Sequence, residues 1–370
     1  MKFRYPPTKA AVLHLKNMPR RNEARDSEGL FQDAVFFESG RAALKFLLIT
    51  LSKRSGKRVV LISENCCKSV VQAITESGLE IRFIRCCRRP FYVTKELIQK
   101  NIQADILAYI SINSFGLIDE TKGIRQALQL FDIFWIEDLT WIIKYSSNDS
   151  SPVRCGDFSF GSFGPGKVIT LGGGGFLVSN DKLYTPDISK NYNNLPLANP
   201  QLKWWLIRRT YGAITSRYLY SFLSHVRSAL GQTKWQDKKD QTIAVRKLSK
   251  NLNEGIRLNI NVTIKTTING AAQDYYNEHI NFDLFDSGRH ERSRSPKYPI
   301  ICKSFRQREE FIRRIEIVGV HVGRGYDEVS NGIFIKEDDC LEKRIMTIPA
   351  YEDLPLSVVK KIVDSINEIK

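Results

Sequence analysis

From residue 31 onward, short apolar runs alternate with stretches of helical spacing. The runs 58–63 (RVVLIS), 79–86, 105–113 (DILAYISIN) and 133–138 (IFWIED) predict strands. Between them, 41–48 (RAALKFLL), 68–77 and 122–130 space their apolar residues as helices do. Strands separated by helices predict a parallel sheet in an α/β domain, with ligands at the carboxyl ends of the strands. Asp138 stands at such an end, where a carboxylate is more often functional than on a helix face, although a cap or structural ion pair would also fit.

Composition narrows the class. A chain of 370 residues, 42% hydrophobic and 26% charged, has the length for two domains and the balance of a folded globular protein. The first residues, MKFRYPPTKA, lack the apolar segment of a secretion signal, and no run reaches the ~20 apolar residues of a membrane span. Seven cysteines include the adjacent pairs Cys66-Cys67 and Cys86-Cys87 and no CxxC spacing, which fits a reducing cytoplasm rather than a disulfide or zinc scaffold. Five scattered histidines form no metal motif. The net charge of +16 favours anionic partners, whether nucleotides, phosphorylated substrates, nucleic acid or an anionic membrane surface, and is equally compatible with an inert basic exterior. The chain divides into an arginine-rich arm (1–30), a large domain (31–240) and a small C-terminal domain (241–370).

One stretch carries chemistry. Residues 156–175 read GDFSFGSFGPGKVITLGGGG, with a single lysine, Lys167. Gly161, Gly166 and Lys167 imitate the GxxxxGK of a phosphate-binding P-loop, but Val168 cannot hold Mg²⁺ and the glycines at 172–175 resist the helix that must follow. A plain turn with a solvent-facing lysine is the other reading. Upstream, Ser39-Gly40 stands before a helix, where free amides and the helix dipole make an anion site, or where the serine serves only as an N-cap.

These residues together resemble the fold-type I pyridoxal-phosphate enzymes, and among them the DegT/StrS sugar aminotransferase family. The resemblance rests on Ser39-Gly40-Arg41-Ala42-Ala43-Leu44, on Glu137-Asp138, on Gly156-Asp157 and on Ser162-Phe163, Pro165, Lys167 and Gly172 to Gly175. Ile348-Pro349, Leu354-Pro355 and a closing helix extend it to the C-terminus, while residues 181–290 match weakly. It implies a large domain with a mostly parallel sheet, a smaller C-terminal α/β domain, and pyridoxal phosphate as a Schiff base on Lys167, which also moves the proton. Asp138 would hold the ring nitrogen protonated. Ser39, Gly40, Arg41 and Ser162 would bind the phosphate, with Arg41 either a direct contact or a surface charge. The aromatic that stacks on the ring in the family is absent, and Asn65 or Cys67 would cover it; Trp141 replaces a polar contact. The implied reaction moves an amino group, expected from glutamate, to a keto group of a nucleotide-linked sugar, in a homodimer. A related branch that removes a hydroxyl carries histidine in place of Lys167, which favours transamination here.

Three segments remain. Residues 202–229 interleave aromatic and basic side chains, which fits a helix lying in a membrane interface or one packed on a neighbour. Nothing there is patterned for stacking on nucleic acid. Residues 286–297 (DSGRHERSRSPK) read as an exposed loop, and Arg324 and Tyr326 as site candidates from the small domain. The competing functional reading is a non-catalytic or divergent relative acting at a membrane surface; a nucleotide hydrolase is disfavoured by the failed P-loop.

Overall fold

The computed structural model describes residues 5–6, 11–12, 31, 33–85, 93–116, 121–141, 155–199, 201–229, 242–267, 270–286, 295–324 and 341–368. Most of the arm, Tyr326 and residues 287–294 of the expected loop lie outside them.

The first part of the chain holds the expected alternation as β3 to β6 with α1, α2 and α4, among further elements: β1 (Ala11–Val12), β2 (Val35–Phe37), α1 (Gly40–Ser55), β3 (Val59–Ser63), α2 (Lys68–Glu76), β4 (Glu80–Ile84), α3 (Lys95–Asn101), β5 (Ile106–Ile112), α4 (Thr121–Gln129), β6 (Phe134–Asp138), β7 (Phe158–Ser162), β8 (Ile169–Thr170) and β9 (Gly175–Ser179). Seven of these strands form one sheet in the order β2-β9-β7-β6-β5-β3-β4. The links β4-β3-β5-β6-β7 are parallel, and β9 runs antiparallel between β7 and β2. β1 pairs in parallel with β8, which fixes part of the arm three residues from Lys167.

The two-residue period of a strand explains the layers. On β3, Val60 and Ile62 join α1 and α2 in one core, while Val59 and Leu61 join Ile98 of α3 and Ile124 of α4 in the opposite one. The sheet is therefore covered on both faces, which is why its strands read as unbroken apolar runs.

Four helices follow: α5 (Thr185–Asn193), α6 (Gln201–Ile214), α7 (Arg217–Ala229) and α8 (Lys250–Thr267). The single helix expected over 202–229 is two, separated at Thr215-Ser216, where the Ser216 hydroxyl accepts from the Leu219 amide at 3.4 Å. Trp204 of α6 is buried in a core with Phe163, Phe176 and Ile256. The other side of the pair exposes Trp205, Leu206, Tyr218, Phe222 and Val226, among others.

The C-terminal part contains α9 (Ala271–His279), β10 (Lys297–Ile301), α10 (Phe305–Ile317), α11 (Leu341–Arg344), β11 (Ile345–Pro349) and α12 (Leu356–Asn367). Its core gathers Tyr276, Tyr298, Phe311, Ile348 and Ile362 around the antiparallel β10–β11 pair. Ile243, Leu248, Ile256 and Ile260 pack with the sheet instead. We therefore take the junction between the two cores to fall near residue 270, later than the expected 241.

Two departures from expectation matter for the site. Ser295 is buried and Lys297 begins a strand, so this end of the expected exposed loop is folded. Arg324 pairs with Glu309 at 3.3 Å on an exposed face. Among the described residues no helix is long and apolar enough to cross a membrane, and no group of His, Cys, Asp and Glu could hold a metal ion.

Candidate active site

The carboxyl ends of β6 and β7 and the N-terminus of α1 meet in a cavity of about 220 Å³. Its lining includes Ser39, Gly40, Arg41, Cys67, Asp138, Thr140, Trp141, Ser162 and Lys167, so eight of the nine residues singled out from the sequence come together. Asn65 does not line it.

One end is an anion cradle. Ser39 caps α1, its hydroxyl accepting from the Ala42 amide at 3.1 Å. The Gly40 and Arg41 amides lie in the first turn, where a helix supplies no acceptor of its own and its dipole is positive. The serine is thus an N-cap, and the turn it caps opens on the cavity, where an anion would meet its free amides. Ser162 stands opposite, its hydroxyl accepting from the Gly164 amide at 3.2 Å. The Arg41 guanidinium turns away to Gln72, 3.0 Å distant on an exposed face.

The glycine run makes this close approach possible. A Cβ on Gly175 would sit 2.3 Å from the Gly40 nitrogen, and one on Gly173 would sit 2.2 Å from Nε1 of Trp204. Gly172 and Gly174 take φ of 84° and 99°, a region that disfavours side chains. Gly175→Ala is therefore expected to cost about 1–3 kcal/mol through overpacking against backbone. Gly212→Ala on α6, with open space around it, should instead gain roughly 0.5–1 kcal/mol from helix propensity. Denaturant melts of the two variants check the contrast; equal effects would mean that the contact at Gly40 is not tight.

The other end is acidic and desolvated. Asp138 is buried at the end of β6, and its Oδ1 accepts from the Thr140 amide at 2.9 Å. Burial raises its pKa, against lowering by Thr140 hydrogen bonds and by the charge of Lys167. Glu137 faces the opposite layer, where it accepts from the Gly156 amide at 2.8 Å and the Ser159 hydroxyl at 3.2 Å. Burial raises its pKa too, but its partners are structural.

Lys167 lies between β7 and β8, its amide bonded to the Gly164 carbonyl at 3.3 Å. Its Nζ stands 4.6 Å from the centroid of the buried Trp141 ring, and the Nζ of Lys297 stands 4.9 Å from the same ring. Cys67 caps the start of α2 beside the cavity, accepting from the Ser69 hydroxyl at 3.1 Å. Asn65 is buried with neither side-chain amide atom hydrogen-bonded among the described residues.

Sequence reasoning missed Thr140 and Lys297. Thr140 carried a signal, since a hydroxyl residue two positions after a buried aspartate can bond it locally. Lys297 carried none, standing at the end of a basic run that reads as solvated.

These residues fit pyridoxal phosphate. The α1 amides and Ser162 would take its phosphate, the desolvated Asp138 its ring nitrogen and Lys167 its aldehyde. The glycine cradle that no Cβ could share leaves room at the phosphate end.

Comparison with known proteins agrees. Residues 29–199 match the model of the DegT/DnrJ/EryC1/StrS aminotransferase family. No curated protein sequence matches the chain significantly. The fold is that of the sugar aminotransferase CalS13 from Micromonospora echinospora, at 16% identity and a TM-score of 0.69, over 99% of this chain and 100% of that one. It is also that of PseC from Helicobacter pylori, an aminotransferase of pseudoaminic acid biosynthesis, at 13% identity and a TM-score of 0.67, over 100% and 99% of the two chains. Spr1654 from Streptococcus pneumoniae, a putative sugar aminotransferase seen in PLP and PMP forms, is similar at 16% and 15% identity, with a TM-score of 0.60 for each; the PLP form covers 93% of this chain and 89% of that one, the PMP form 95% and 91%.

Proposed function

We propose that this chain, which belongs through residues 29–199 to the DegT/DnrJ/EryC1/StrS aminotransferase family, moves an amino group from glutamate to a keto group of a nucleotide-linked sugar. The observation that carries the reading is the lining of one cavity by Lys167, the buried Asp138 and the α1 N-terminus. Pyridoxal phosphate, when bound, supplies an electron sink for the carbon that loses or gains the amine.

The chain's own groups do the rest. The Gly40 and Arg41 amides and the Ser162 hydroxyl would hold the phosphate by hydrogen bonds and the helix dipole. Asp138, kept in place by Thr140, would stabilise positive charge on the ring nitrogen. Lys167 Nζ takes the proton from the substrate carbon and returns it, and its contact with the Trp141 face limits where that amine can swing. The net charge of +16 suits a diphosphate substrate.

A homodimer belongs to the proposal, in the cytoplasm. The exposed apolar row on α6 and α7 supports it, because Trp204 of α6 packs on the glycines that wall the cavity. A second copy covering that row would adjoin the site. The same row favours one other reading, a non-catalytic or divergent relative seated on a membrane surface.

Glutamate and a nucleotide-linked 4-keto sugar, given to the purified cofactor-bound protein, should yield 2-oxoglutarate and the amino sugar by mass spectrometry. Sedimentation should report a dimer. A protein that takes up the cofactor but aminates no nucleotide-linked sugar would overturn the acceptor. One that stays colourless, binds vesicles and sediments as a monomer would favour the surface reading.

A further inference from the structure

Lys297 places a second cation against Trp141, a residue that lines the cavity, and it comes from the C-terminal core rather than from the sheet. It begins β10, the strand that packs with β11 over Tyr276 and Phe311. Its side chain is half-buried, and its Nζ lies over the Trp141 indole on which Lys167 also rests. Among the described residues no carboxylate stands within ion-pair distance of it. Two ammonium groups sharing one ring repel each other, and an indole face compensates such a charge only weakly. Burial and the charge of Lys167 push its pKa down to about 8, with Cys67 opposing. The position therefore favours an anion that the described residues do not supply.

The proposed reaction brings one. An amino-acid donor must place its nitrogen where Lys167 acts, and its α-carboxylate is then only two bonds from that nitrogen. The carboxylate needs a cation within a few ångströms of Lys167. Of the other described cations near the cavity, Arg41 is turned to Gln72, and Arg246, which does not line it, faces the lining residue Glu38 at 3.7 Å. We propose that Lys297 binds the α-carboxylate of the amino donor, so that the C-terminal core recognises the donor while the sheet holds the cofactor. This rests on the transamination reading.

Lys297→Met should raise the KM for glutamate roughly 10- to 100-fold, the range for loss of a charge-assisted hydrogen bond. The KM for the keto-sugar should stay within about twofold. Lys297→Arg, which keeps a cation that does not titrate, should restore most of the loss. pH gives an independent readout. The titratable groups facing Lys297 are Lys167 and Cys67. In the unmodified protein the ammonium is present below its pKa and lost above it, so the glutamate KM should rise as pH passes about 8. That rise should vanish in Lys297→Arg, which decides the matter even if Lys297→Met does not fold.

Borohydride reduction with peptide mapping runs beside each assay. An adduct on Lys167 in all variants, with an unchanged glutamate KM and an unchanged pH profile in Lys297→Arg, would overturn the role of Lys297 and leave the transamination reading intact. Equal rises in both KM values would also overturn it, pointing to a structural role. Absence of any adduct in the unmodified protein would instead overturn the transamination reading, and this role with it.

Discussion

Lys167→Ala should leave a folded protein that carries no borohydride-fixed pyridoxyl group and transfers amines about 10⁴-fold more slowly or worse. The fold should survive because Lys167 stands in the turn between β7 and β8, forms its one described backbone bond through its amide, and forms no ion pair among the described residues. Its amine rests against the face of Trp141. What the variant loses is chemical: the nucleophile and the proton carrier are one group. Cofactor uptake should persist in weakened, non-covalent form, since the α1 amides, Ser162 and Asp138 remain. The spectrum, the reduced adduct mapped by mass spectrometry and the transfer rate read these three parts separately. Lys297 shares the same indole, so the mapping also tests the assignment. An adduct on Lys297 in the unmodified protein would sink the role given to Lys167.

The parts of the site that were legible in the sequence are local in the chain. Ser39-Gly40 before a helix, Asp138 at a strand end and Lys167 five residues before a glycine run each announce themselves through neighbours. The strands β3 to β6 were legible for a related reason: strands covered on both faces become apolar runs, and their observed limits differ from the expected ones by at most two residues, whereas β2, β7 and β9 of the same sheet were not expected. What was not legible depends on contacts distant in sequence. The glycines at 172–175 are one case, since Gly173 is required by Trp204 and Gly175 by the start of α1. Trp204 in turn is core, as the packed alternative for 202–229 has it, although its basic and aromatic surroundings fitted a membrane interface as well. Lys297 reads as the end of a solvated basic run. Its position over Trp141 follows only from how β10 packs beside residues 114–116, where Phe115 is held at φ 57° against the Trp141 ring.

Asp138→Asn should separate stability from function. Burial raises the pKa of Asp138 in the folded state. For an acid this means that folding favours the protonated form, so the ionised carboxylate costs stability once pH exceeds the ordinary value for an aspartate. At neutral pH, without cofactor, the asparagine variant should therefore melt no lower than the unmodified protein, and somewhat higher if the amide keeps the Thr140 amide as a donor partner. Cofactor reverses the sign. A positive ring nitrogen placed against the carboxylate repays the desolvation, and removing one member of such a buried pair costs about 3–5 kcal/mol. That is roughly a 10²- to 4 × 10³-fold loss in cofactor affinity, with a fall in transfer rate of similar size because the electron sink loses its charge. Thr140→Val, which removes the hydroxyl bond to the carboxylate and keeps the amide one, should lose up to about tenfold. Melting with and without pyridoxal phosphate, together with a cofactor titration, distinguishes these expectations. If Asp138→Asn binds cofactor as tightly as the unmodified protein, the carboxylate is not the partner of the ring nitrogen, and its burial beside Lys167 needs another cause.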